Sequence, residues 1–530
     1  MNQRFYRRSA VCFALIAVML LVCTVRVGIL TSDESLKNTA LSETSYRLSL
    51  YKVRGTLYDT SMRPLTDTAY IRRCVLAPDN VGLAAAGRLL AGQALDLATE
   101  RLLAGYPVTA PLGASDLPYG AIEYFEPVRL PTACACHIIG YLDSDGHGVS
   151  GLEKELDAIL YTGESVTADF ALTATGKILP SVEGNISEKS AASYVKLTID
   201  RDVQLVTEKA MRDVERGAAV VIEAETGKVR AIVSKPAFDT DISALDLTNA
   251  DAPLLDRALS NYNVGSVFKL CVAAAALDSG FDTHRIFECN SSFDSGSRIF
   301  HCHDGECHGQ LDMCDAIAES CNVWFYNLVC ELGAEPILNT ARLCGFEEST
   351  ILFRGLESAR GTMPELPELC SRSALCNFAI GQGSIMLSPL VISNLYCAIA
   401  SGGSYREPYI IEEISSPVRR TYTSDRVTRV MSEDTANTLK EYLRYAVSHG
   451  TGRNAAPSSE VVSGGKTATA QTGRFIGGER VSDGWYCGFT ALNGKNYVIC
   501  IVRENVRSGA SDCAPVFADV ADGIAEIYNN

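Results

Sequence analysis

The sequence has no excess of basic residues and few long hydrophobic runs. Its 530 residues include 47 Lys and Arg against 63 Asp and Glu, which gives a formal net charge of −16. This balance argues against nucleic acid or a polyanionic surface as a partner. Beyond about residue 31, no stretch of the sequence resembles a membrane span. The roughly 500 residues that remain are too many for one ordinary hydrophobic core, so we expect at least two domains.

A single apolar segment, residues 9–30, follows the basic residues 1–8 and contains one charge, Arg26. Roughly 20 apolar residues cross a bilayer, and an arginine near the end of a span can reach the interface. Because basic residues precede the segment and acidic ones follow it, we expect a single-pass protein of the cell membrane. Residues 1–8 would lie in the cytoplasm, residues 9–30 would form the anchor, and the rest would be extracytoplasmic. A cleaved signal peptide is the alternative, although no small-x-small cleavage site follows the apolar run.

Near the middle of the chain, Ser266 and Lys269 form an S-x-x-K motif at the predicted start of an apolar helix. This spacing puts both side chains on one helical face, where the amine can accept the hydroxyl proton. Serine is a poor nucleophile at neutral pH, and a partly desolvated lysine with a lowered pKa can activate it without histidine. Taken alone, the pattern also fits a serine that only caps a helix.

Two more motifs follow in an order that favours catalysis. Ser320 and Asn322 form S-x-N, and Lys466, Thr467 and Ala468 form K-T-x. The order S-x-x-K, S-x-N, K-T-x is typical of penicillin-recognising serine acyl-transferases. The gaps between the motifs leave room for a helical subdomain between pieces of one site.

Secondary-structure patterns on both sides of the motifs predict how they come together. A helix and a hairpin precede Ser266, and strands and a helix follow Lys466, which predicts a sheet assembled from both ends of the domain around a helical insert. Such a sheet would place all three motifs at one cleft. The predicted elements are a strand at 194–200, a helix at 201–215, hairpins at 218–234 and 485–503, and a helix at 514–528.

On these motifs the chain resembles class B penicillin-binding proteins, the monofunctional D,D-transpeptidases that cross-link bacterial peptidoglycan. The resemblance implies an α+β fold, with a transpeptidase domain at 191–530 built from an antiparallel sheet and a helical subdomain. An extended, mainly β pedestal domain at 31–190 would precede it. These roughly 160 residues are too few for the glycosyltransferase domain of bifunctional relatives and its linker. Further landmarks are AIGQG at 379–383, LSPL at 387–390, GGSY at 402–405 and WYCGF at 485–489.

RGTLYD at 54–59 resembles the first landmark of the pedestal. In this segment we expect Arg54 and Asp59 to pair and hold a turn, with no direct part in chemistry.

The resemblance also implies roles for the first two motifs. Ser266 would attack the carbonyl between the two D-alanines of a stem peptide, and Lys269 would take its proton. Ser320 would relay a proton to the leaving nitrogen. Asn322 would orient Lys269 and the substrate amide.

The third motif would bind the substrate and complete the oxyanion hole. Lys466 with Thr467 would hold the terminal carboxylate, and the backbone N–H groups of Ser266 and Thr469 would stabilise the oxyanion. Ala468 stands where relatives normally have glycine, so a methyl group enters a strand that lies close to the substrate. It either points away from the cleft and tightens packing, or it narrows access for substrate and β-lactams.

The implied substrates are peptidoglycan stem peptides on lipid II-derived glycan strands, joined by 4-3 type cross-links through an acyl-serine intermediate. β-Lactams would be inhibitors, no cofactor is implied, and a SEDS-type glycosyltransferase is an expected partner through the anchor and pedestal. Two alternatives stay open. One is a β-lactam sensor or scaffold with the same fold, and the other is a D,D-carboxypeptidase or β-lactamase, for which no water-activating glutamate is evident.

The nineteen cysteines are many for an exported protein, and an odd number cannot all pair within one chain. Residues 301–308 read HCHDGECH, five soft-metal ligands in eight residues. Adjacent ligands rarely all reach one tetrahedral ion, so we predict no metal site, although zinc is conceivable. In relatives the segment resembles a loop in which cysteines such as Cys289 and Cys302 recur. The other interpretations are free thiols or a disulfide, either Cys289 with Cys302 or Cys302 with Cys307.

Overall fold

The computed structural model describes residues 2–32, 45–66, 68–129, 134–173, 175–178, 185–187, 193–239 and 248–529. Its α-helices are α1 (Asn2–Ser32), α2 (Asn80–Leu89), α3 (Gly92–Leu103), α4 (Cys136–Ile139), α5 (Gly151–Glu155), α6 (Asp157–Leu160), α7 (Arg201–Ala210), α8 (Lys269–Asp278), α9 (Met313–Ala318), α10 (Asn322–Leu332), α11 (Glu335–Leu343), α12 (Arg372–Ala379), α13 (Pro389–Ala400), α14 (Glu433–His449), α15 (Gly509–Asp512) and α16 (Ala514–Asn529).

The strands are β1 (Ser45–Arg54), β2 (Thr56–Tyr58), β3 (Thr68–Leu76), β4 (Val108–Pro111), β5 (Ile122–Arg129), β6 (Tyr161–Ala171), β7 (Asn185–Ser187), β8 (Tyr194–Leu197), β9 (Gly217–Glu223), β10 (Lys228–Lys235), β11 (Tyr262–Asn263), β12 (Phe287–Cys289), β13 (Ser292–Asp294), β14 (Ile299–His301), β15 (Gly309–Leu311), β16 (Ile351–Phe353), β17 (Leu356–Glu357), β18 (Met386–Leu387), β19 (Ser404–Arg406), β20 (Ile411–Ser415), β21 (Arg419–Thr421), β22 (Val427–Arg429), β23 (Val462–Ile476), β24 (Glu479–Leu492) and β25 (Lys495–Val506).

The N-terminal helix α1 contains one stretch, Arg7–Gly28, that is long and apolar enough to cross a membrane. The stretch has 22 residues and a mean hydropathy of 2.6, and it is not buried within the protein. At 1.5 Å per residue it would measure roughly 33 Å, about the thickness of a bilayer core. It coincides closely with the predicted anchor at 9–30.

The chain divides into two compact units. The first comprises Met1–Val53, Thr68–Val128 and Gly163–Ser190, and the second comprises Arg54–Asp67, Arg129–Thr162 and Ala191–Asn530. Two segments of the predicted pedestal, Arg54–Asp67 and Arg129–Thr162, therefore belong to the unit that carries the three motifs. The pedestal boundary near residue 190 remains a prediction.

The first unit contains two small sheets, ordered β1-β6-β7 and β4-β3-β5. Helices α2 and α3 cover part of the second sheet, and their buried small side chains Ala86 and Ala98 pack in a core with Leu76 and Ala110 of the strands. Helix α2 begins after Asp79, whose carboxylate accepts a hydrogen bond from Gly82 N. The unit is thus not made of strands alone.

The second unit is built on a five-stranded antiparallel sheet ordered β10-β9-β25-β24-β23. Strand β9 pairs with β10 on one side and with β25 on the other, so hairpins from both ends of the domain join one sheet, as predicted. Every residue of β9 is buried. Ala218 and Val220 face one hydrophobic core while Ala219 and Val221 face another. A strand covered on both faces needs a continuous apolar run, and GAAVVIE supplies one.

Helices cover both faces of this sheet. On one face α16 packs with α7, and on the other α13 lies against β25 and β9. All twelve residues of α13 are buried, as expected for a helix that is apolar on every side. Helices α8 to α14 form the helical insert between β10 and β23. The first two motifs lie in this insert, and the third lies on β23.

The predicted pairing of Arg54 with Asp59 is wrong. The Arg54 guanidinium lies 2.6 Å from Glu153 Oε2 and 2.6 Å from Asp157 Oδ1. Asp59 pairs with Arg63 at 2.7 Å. In extended chain, residues five apart are roughly 16 Å apart, too far for an ion pair unless the segment turns back.

Candidate active site

Ser266 lies in a 3-10 turn, Gly265–Phe268, that leads directly into α8. Gly265 has φ +60°, and its N–H donates to Gly381 O at 3.0 Å. A side-chain carbon added to Gly265 would lie 3.3 Å from Ala470 Cβ and 3.5 Å from Ala468 Cβ. Glycine is therefore needed both for the backbone angle and for the close approach of β23. This packing holds the half-buried Ser266 beside β23.

Lys269, the first residue of α8, has a completely buried side chain that contacts the second motif. Its Nζ donates to Ser320 O at 2.7 Å, to Asn322 Oδ1 at 2.7 Å and to Ser320 Oγ at 3.3 Å. The Phe325 ring lies 5.3 Å from the same nitrogen. These contacts join S-x-x-K to S-x-N, as the sequence predicts.

Burial lowers the pKa of Lys269 from 10.5 to about 8. The cause is the loss of hydration, which disfavours the ammonium form. At pH 7 roughly a tenth of the amine is then neutral, compared with less than about 0.1% for an exposed lysine. Lys269 can therefore act as a base at physiological pH.

Ser320 and Asn322 occupy the turn that enters α10. Ser320 has φ +56°, a left-handed conformation that is unusual for a residue other than glycine. Cys321 caps the helix, since its sulfur accepts a hydrogen bond from Trp324 N at 3.4 Å. The turn presents both the carbonyl of Ser320 and the amide of Asn322 to Lys269.

Lys466 lies on β23, the edge strand of the central sheet, opposite Cys487 of β24. Its side chain is only 1% exposed, and Nζ donates to Thr467 O at 3.1 Å. Burial, and next the nearby charge of Lys269, hold the pKa of Lys466 well below its usual value, while Glu319 acts in the opposite direction. An anion that bound here would relieve this repulsion.

Sequence reasoning missed Thr451, which contacts the third motif. Its Oγ1 lies 3.0 Å from Thr467 Oγ1 and donates to Ala318 O at 3.1 Å. Ala318 ends α9, two residues before Ser320, so Thr451 connects the second and third motifs. The only local signal is the triplet Gly450-Thr451-Gly452 at the end of a helix.

The other two predicted residues of β23 lie on opposite faces of the strand. Thr469 Oγ1 accepts a hydrogen bond from Gly509 N at 3.2 Å and so faces α15. Ala468 is 3% exposed and belongs to the hydrophobic core, with its methyl group directed at Gly265. This position agrees with the packing interpretation of Ala468.

All nineteen cysteines are free thiols, so neither predicted disulfide is formed. Directly behind the S-x-N turn, the ligand atoms of Cys289, Cys302, His308 and Cys321 lie within 4.8 Å of one another. Cys302 and His308 belong to the segment 301–308 noted in the sequence, and Cys289 precedes it. Cys321, the residue between Ser320 and Asn322, was not foreseen as part of this group.

This arrangement of serine, lysines and asparagine is typical of penicillin-recognising serine acyl-transferases. Residues 217–522, more than half of the chain, match the family described as the penicillin binding protein transpeptidase domain. The chain belongs to this family.

One relative is the stage V sporulation protein D of Bacillus subtilis, 26% identical over 417 residues. The match covers 74% of this chain and 62% of that protein, so the chain spans about three fifths of the relative's length.

Two solved structures share the fold. Penicillin-binding protein 3 of Mycobacterium tuberculosis in complex with aztreonam has a TM-score of 0.66 at 23% identity, covering 91% of this chain and 97% of that one. A chain of a peptidoglycan synthase complex that coordinates polymerization and crosslinking has a TM-score of 0.70 at 23% identity, covering 98% of both. These similarities confirm the predicted α+β transpeptidase fold.

Proposed function

We propose that the protein is a peptidoglycan D,D-transpeptidase that works through an acyl-serine intermediate. One observation carries the proposal: the buried amine of Lys269, three residues after Ser266 in the chain, contacts both Ser320 and Asn322. Membership of the transpeptidase family supports the same conclusion.

In the first half-reaction, Ser266 Oγ attacks the carbonyl carbon between the two D-alanines of a stem peptide. Neutral Lys269 accepts the hydroxyl proton as the C–O bond forms. The backbone N–H groups of Ser266 and Thr469 stabilise the oxyanion, and removing one such donor typically costs about 3 kcal/mol. The C–N bond then breaks, a proton passes through Ser320 to the leaving nitrogen, and D-alanine departs.

In the second half-reaction, an amine of a neighbouring strand attacks the ester carbonyl. Lys269 again serves as the group that moves the proton, and the collapse of the tetrahedral intermediate frees Ser266 and forms a 4-3 type amide cross-link. Asn322 orients both Lys269 and the substrate amide. No cofactor takes part in either step.

Lys466 and Thr467 would bind the terminal carboxylate of the donor peptide. Lys466 is a buried amine whose pKa is held well below its usual value by burial and by Lys269, and an anion bound beside it would favour its ammonium form. A β-lactam carries a carboxylate too, so the same residues would recognise the drug as an inhibitor. The methyl group of Ala468 on β23 packs against the Ser266 turn. The polar edge of the strand therefore stays available to the ligand.

We further propose that α1 anchors the protein in the cell membrane with its N-terminus in the cytoplasm and the second unit outside. Arg4, Arg7 and Arg8, at the N-terminal end of α1, support this orientation. The substrates would then be lipid II-derived glycan strands. A SEDS-type glycosyltransferase partner is supported by the likeness to a chain of a peptidoglycan synthase complex.

The test uses the full-length protein in detergent with fluorescent penicillin. We expect one covalent adduct on Ser266, identified by digestion and mass spectrometry, and none in Ser266→Ala. Ser279→Ala is the matched control, because Ser279 lies exposed at the other end of α8. An adduct elsewhere, or one that persists in Ser266→Ala, would contradict the mechanism.

A second assay distinguishes the transpeptidase from its alternatives. With a stem pentapeptide and an acceptor amine, we expect release of D-alanine together with the cross-linked amide. Release with water as the only acceptor, or rapid loss of the penicillin label with turnover of drug, would identify a hydrolase. A stable penicillin adduct without any peptide turnover would identify a sensor or scaffold.

A further inference from the structure

Three cysteines and one histidine converge behind the S-x-N turn from four separate elements. Cys289 ends β12, Cys302 follows β14, His308 precedes β15 and Cys321 caps α10. The sulfur and nitrogen atoms of these side chains all lie within 4.8 Å of one another, and none of the four residues is exposed. Side chains from four elements within residues 289–321 thus form one compact, shielded group of soft ligands.

The distances in this group agree with those of a tetrahedral zinc centre. His308 Nδ1 lies 3.4 Å from Cys289 Sγ and 3.6 Å from Cys302 Sγ, and Cys302 Sγ lies 3.9 Å from Cys321 Sγ. Around zinc, with Zn–S of about 2.3 Å and Zn–N of about 2.0 Å, the tetrahedral angle separates two sulfurs by roughly 3.8 Å and sulfur from nitrogen by roughly 3.5 Å. These three separations therefore match those between ligands of one ion, and the other pairs among the four atoms lie within 4.8 Å.

Backbone N–H groups are directed at two of the sulfurs. Asn322 N donates to Cys302 Sγ at 3.3 Å and Trp324 N donates to Cys321 Sγ at 3.4 Å. Both donors belong to the first turn of α10, an eleven-residue helix whose N-terminus stabilises negative charge on sulfur.

A carboxylate lies close to the outer nitrogen of the imidazole. His308 Nε2 is 3.3 Å from Glu306 Oε2 without the geometry of a hydrogen bond, while the opposite nitrogen, Nδ1, faces the sulfurs of Cys289 and Cys302. Metal-binding histidines commonly direct their second nitrogen to a carboxylate, which fixes the ring and raises its basicity.

Disulfide bonding explains this group less well. A disulfide needs two sulfurs about 2.05 Å apart and would leave the third thiol and the imidazole unused. Cys307, the partner expected for Cys302 in one interpretation of the sequence, lies apart from the group, and its sulfur contacts Cys289 O at 3.1 Å. His308 lies among the sulfurs, and a disulfide would not require a histidine there.

We propose that Cys289, Cys302, His308 and Cys321 bind one structural zinc ion. Four protein ligands leave no open position for substrate or water, so the ion would not take part in the reaction. Cys321 stands between Ser320 and Asn322, and the backbone of Asn322 contacts Cys302. The ion would hold the S-x-N turn, including the left-handed backbone of Ser320, against Lys269. The four ligands are thus positioning residues for the site described above.

The first experiment measures metal in the full-length protein, purified in detergent without chelators. We expect about one zinc per chain by mass spectrometry of the metal. Replacement by Co²⁺ should give the charge-transfer bands of thiolate ligands in the near ultraviolet and the strong visible bands of tetrahedral cobalt. Reduced protein that holds neither zinc nor Co²⁺ would overturn the proposal. A disulfide from Cys302 to another cysteine in protein purified without reductant would overturn it too.

Variants then assign the ligands. Cys302→Ser should lower the zinc content at least tenfold, whereas Cys307→Ser should keep the full content. Cys307 is the matched control because it lies in the same loop, is exposed, and is not one of the four ligands. Equal zinc content in both variants would contradict the proposed ligands. If Cys302→Ser does not fold, the Co²⁺ spectrum of the unaltered protein still decides the matter.

A kinetic measurement tests the positioning role. Removal of the metal with a chelator should slow the labelling of Ser266 by fluorescent penicillin at least tenfold, and added Zn²⁺ should restore the rate. An unchanged rate would show that the S-x-N turn does not depend on the ion. The metal content is measured without any reaction. A negative result would therefore contradict the zinc site without contradicting the proposed transpeptidase activity.

Discussion

Lys269 Nζ donates a hydrogen bond of 2.7 Å to Asn322 Oδ1. The two residues come from different helices, α8 and α10, and the contact is the direct link between S-x-x-K and S-x-N. Inside a buried site a hydrogen bond of this kind fixes the direction of the amine and favours its protonated form.

Asn322→Ala should slow acylation of Ser266 by penicillin about 10- to 100-fold, in the lower range of effects for groups that assist proton transfer. It should also shift the pH dependence of the rate toward lower pH, because the amide oxygen favours the protonated form of Lys269. Stopped-flow labelling across a pH series measures both effects.

Asn327→Ala is the control for this variant. Asn327 lies on the same helix, and its side chain donates to Val323 O, away from Lys269. A similar loss of rate in both variants would mean that the effect comes from destabilisation of α10.

The rate of acylation should rise with pH and reach half of its maximum near pH 8. Burial lowers the pKa of Lys269 to about 8, and only the neutral amine accepts the serine proton. Below that pKa the amine is protonated, so the rate should fall about tenfold per pH unit. Labelling rates between pH 6 and pH 9 provide the measurement, and a flat profile would exclude Lys269 as the base. Lys269→Arg should be inactive throughout, because arginine remains charged.

Ala468→Gly should leave the acylation rate within about twofold and lower the free energy of unfolding by about 1–2 kcal/mol. The methyl group packs against the Ser266 turn, so its removal creates a small void and loosens the strand. Penicillin labelling and denaturant unfolding measure the two quantities.

Ala470→Gly is a matched control, since Ala470 lies on the same face of β23 and also approaches Gly265. Faster labelling by Ala468→Gly but not by Ala470→Gly would favour the other interpretation, that Ala468 narrows the cleft.

Thr451→Val should weaken recognition of the substrate carboxylate about three- to tenfold, because one hydrogen bond contributes about 1 kcal/mol. The hydroxyl fixes Thr467, which lies 3.0 Å away, and valine keeps the shape without the contact. We expect a higher apparent dissociation constant for penicillin with the maximal acylation rate nearly unchanged. Thr451→Ser should restore binding. Thr438→Val, at a half-buried position of α14 where the hydroxyl donates to Asp434 O of the same helix, should change neither quantity.

The central sheet could be predicted because its strands carry strong local signals. The buried runs β9 and β25 are continuous and apolar, and the turn at 224–227 marks the hairpin with β10. The predicted helix at 201–215 ends earlier, at Ala210, and residues 211–213 form turns. Helix ends depend on a few local hydrogen bonds, so their limits are the least reliable part of such a prediction.

The assignment of Arg54–Asp67 and Arg129–Thr162 to the second unit could not be predicted. Arg54 belongs to this unit through ion pairs with Glu153 and Asp157, about a hundred residues away. Ion pairs between residues so far apart in the sequence do not affect local composition or periodicity, so a local pattern cannot predict them.

The sequence by itself determined the order of the three motifs, the strands of the central sheet and the family to which they belong, because each depends on residues close together in the chain. The tertiary structure decided that Thr451 contacts Thr467, that Ala468 faces Gly265, and that Cys321 joins the group of thiols. These contacts join segments that only packing brings together. Their chemistry depends on distance and burial, which a linear pattern does not specify.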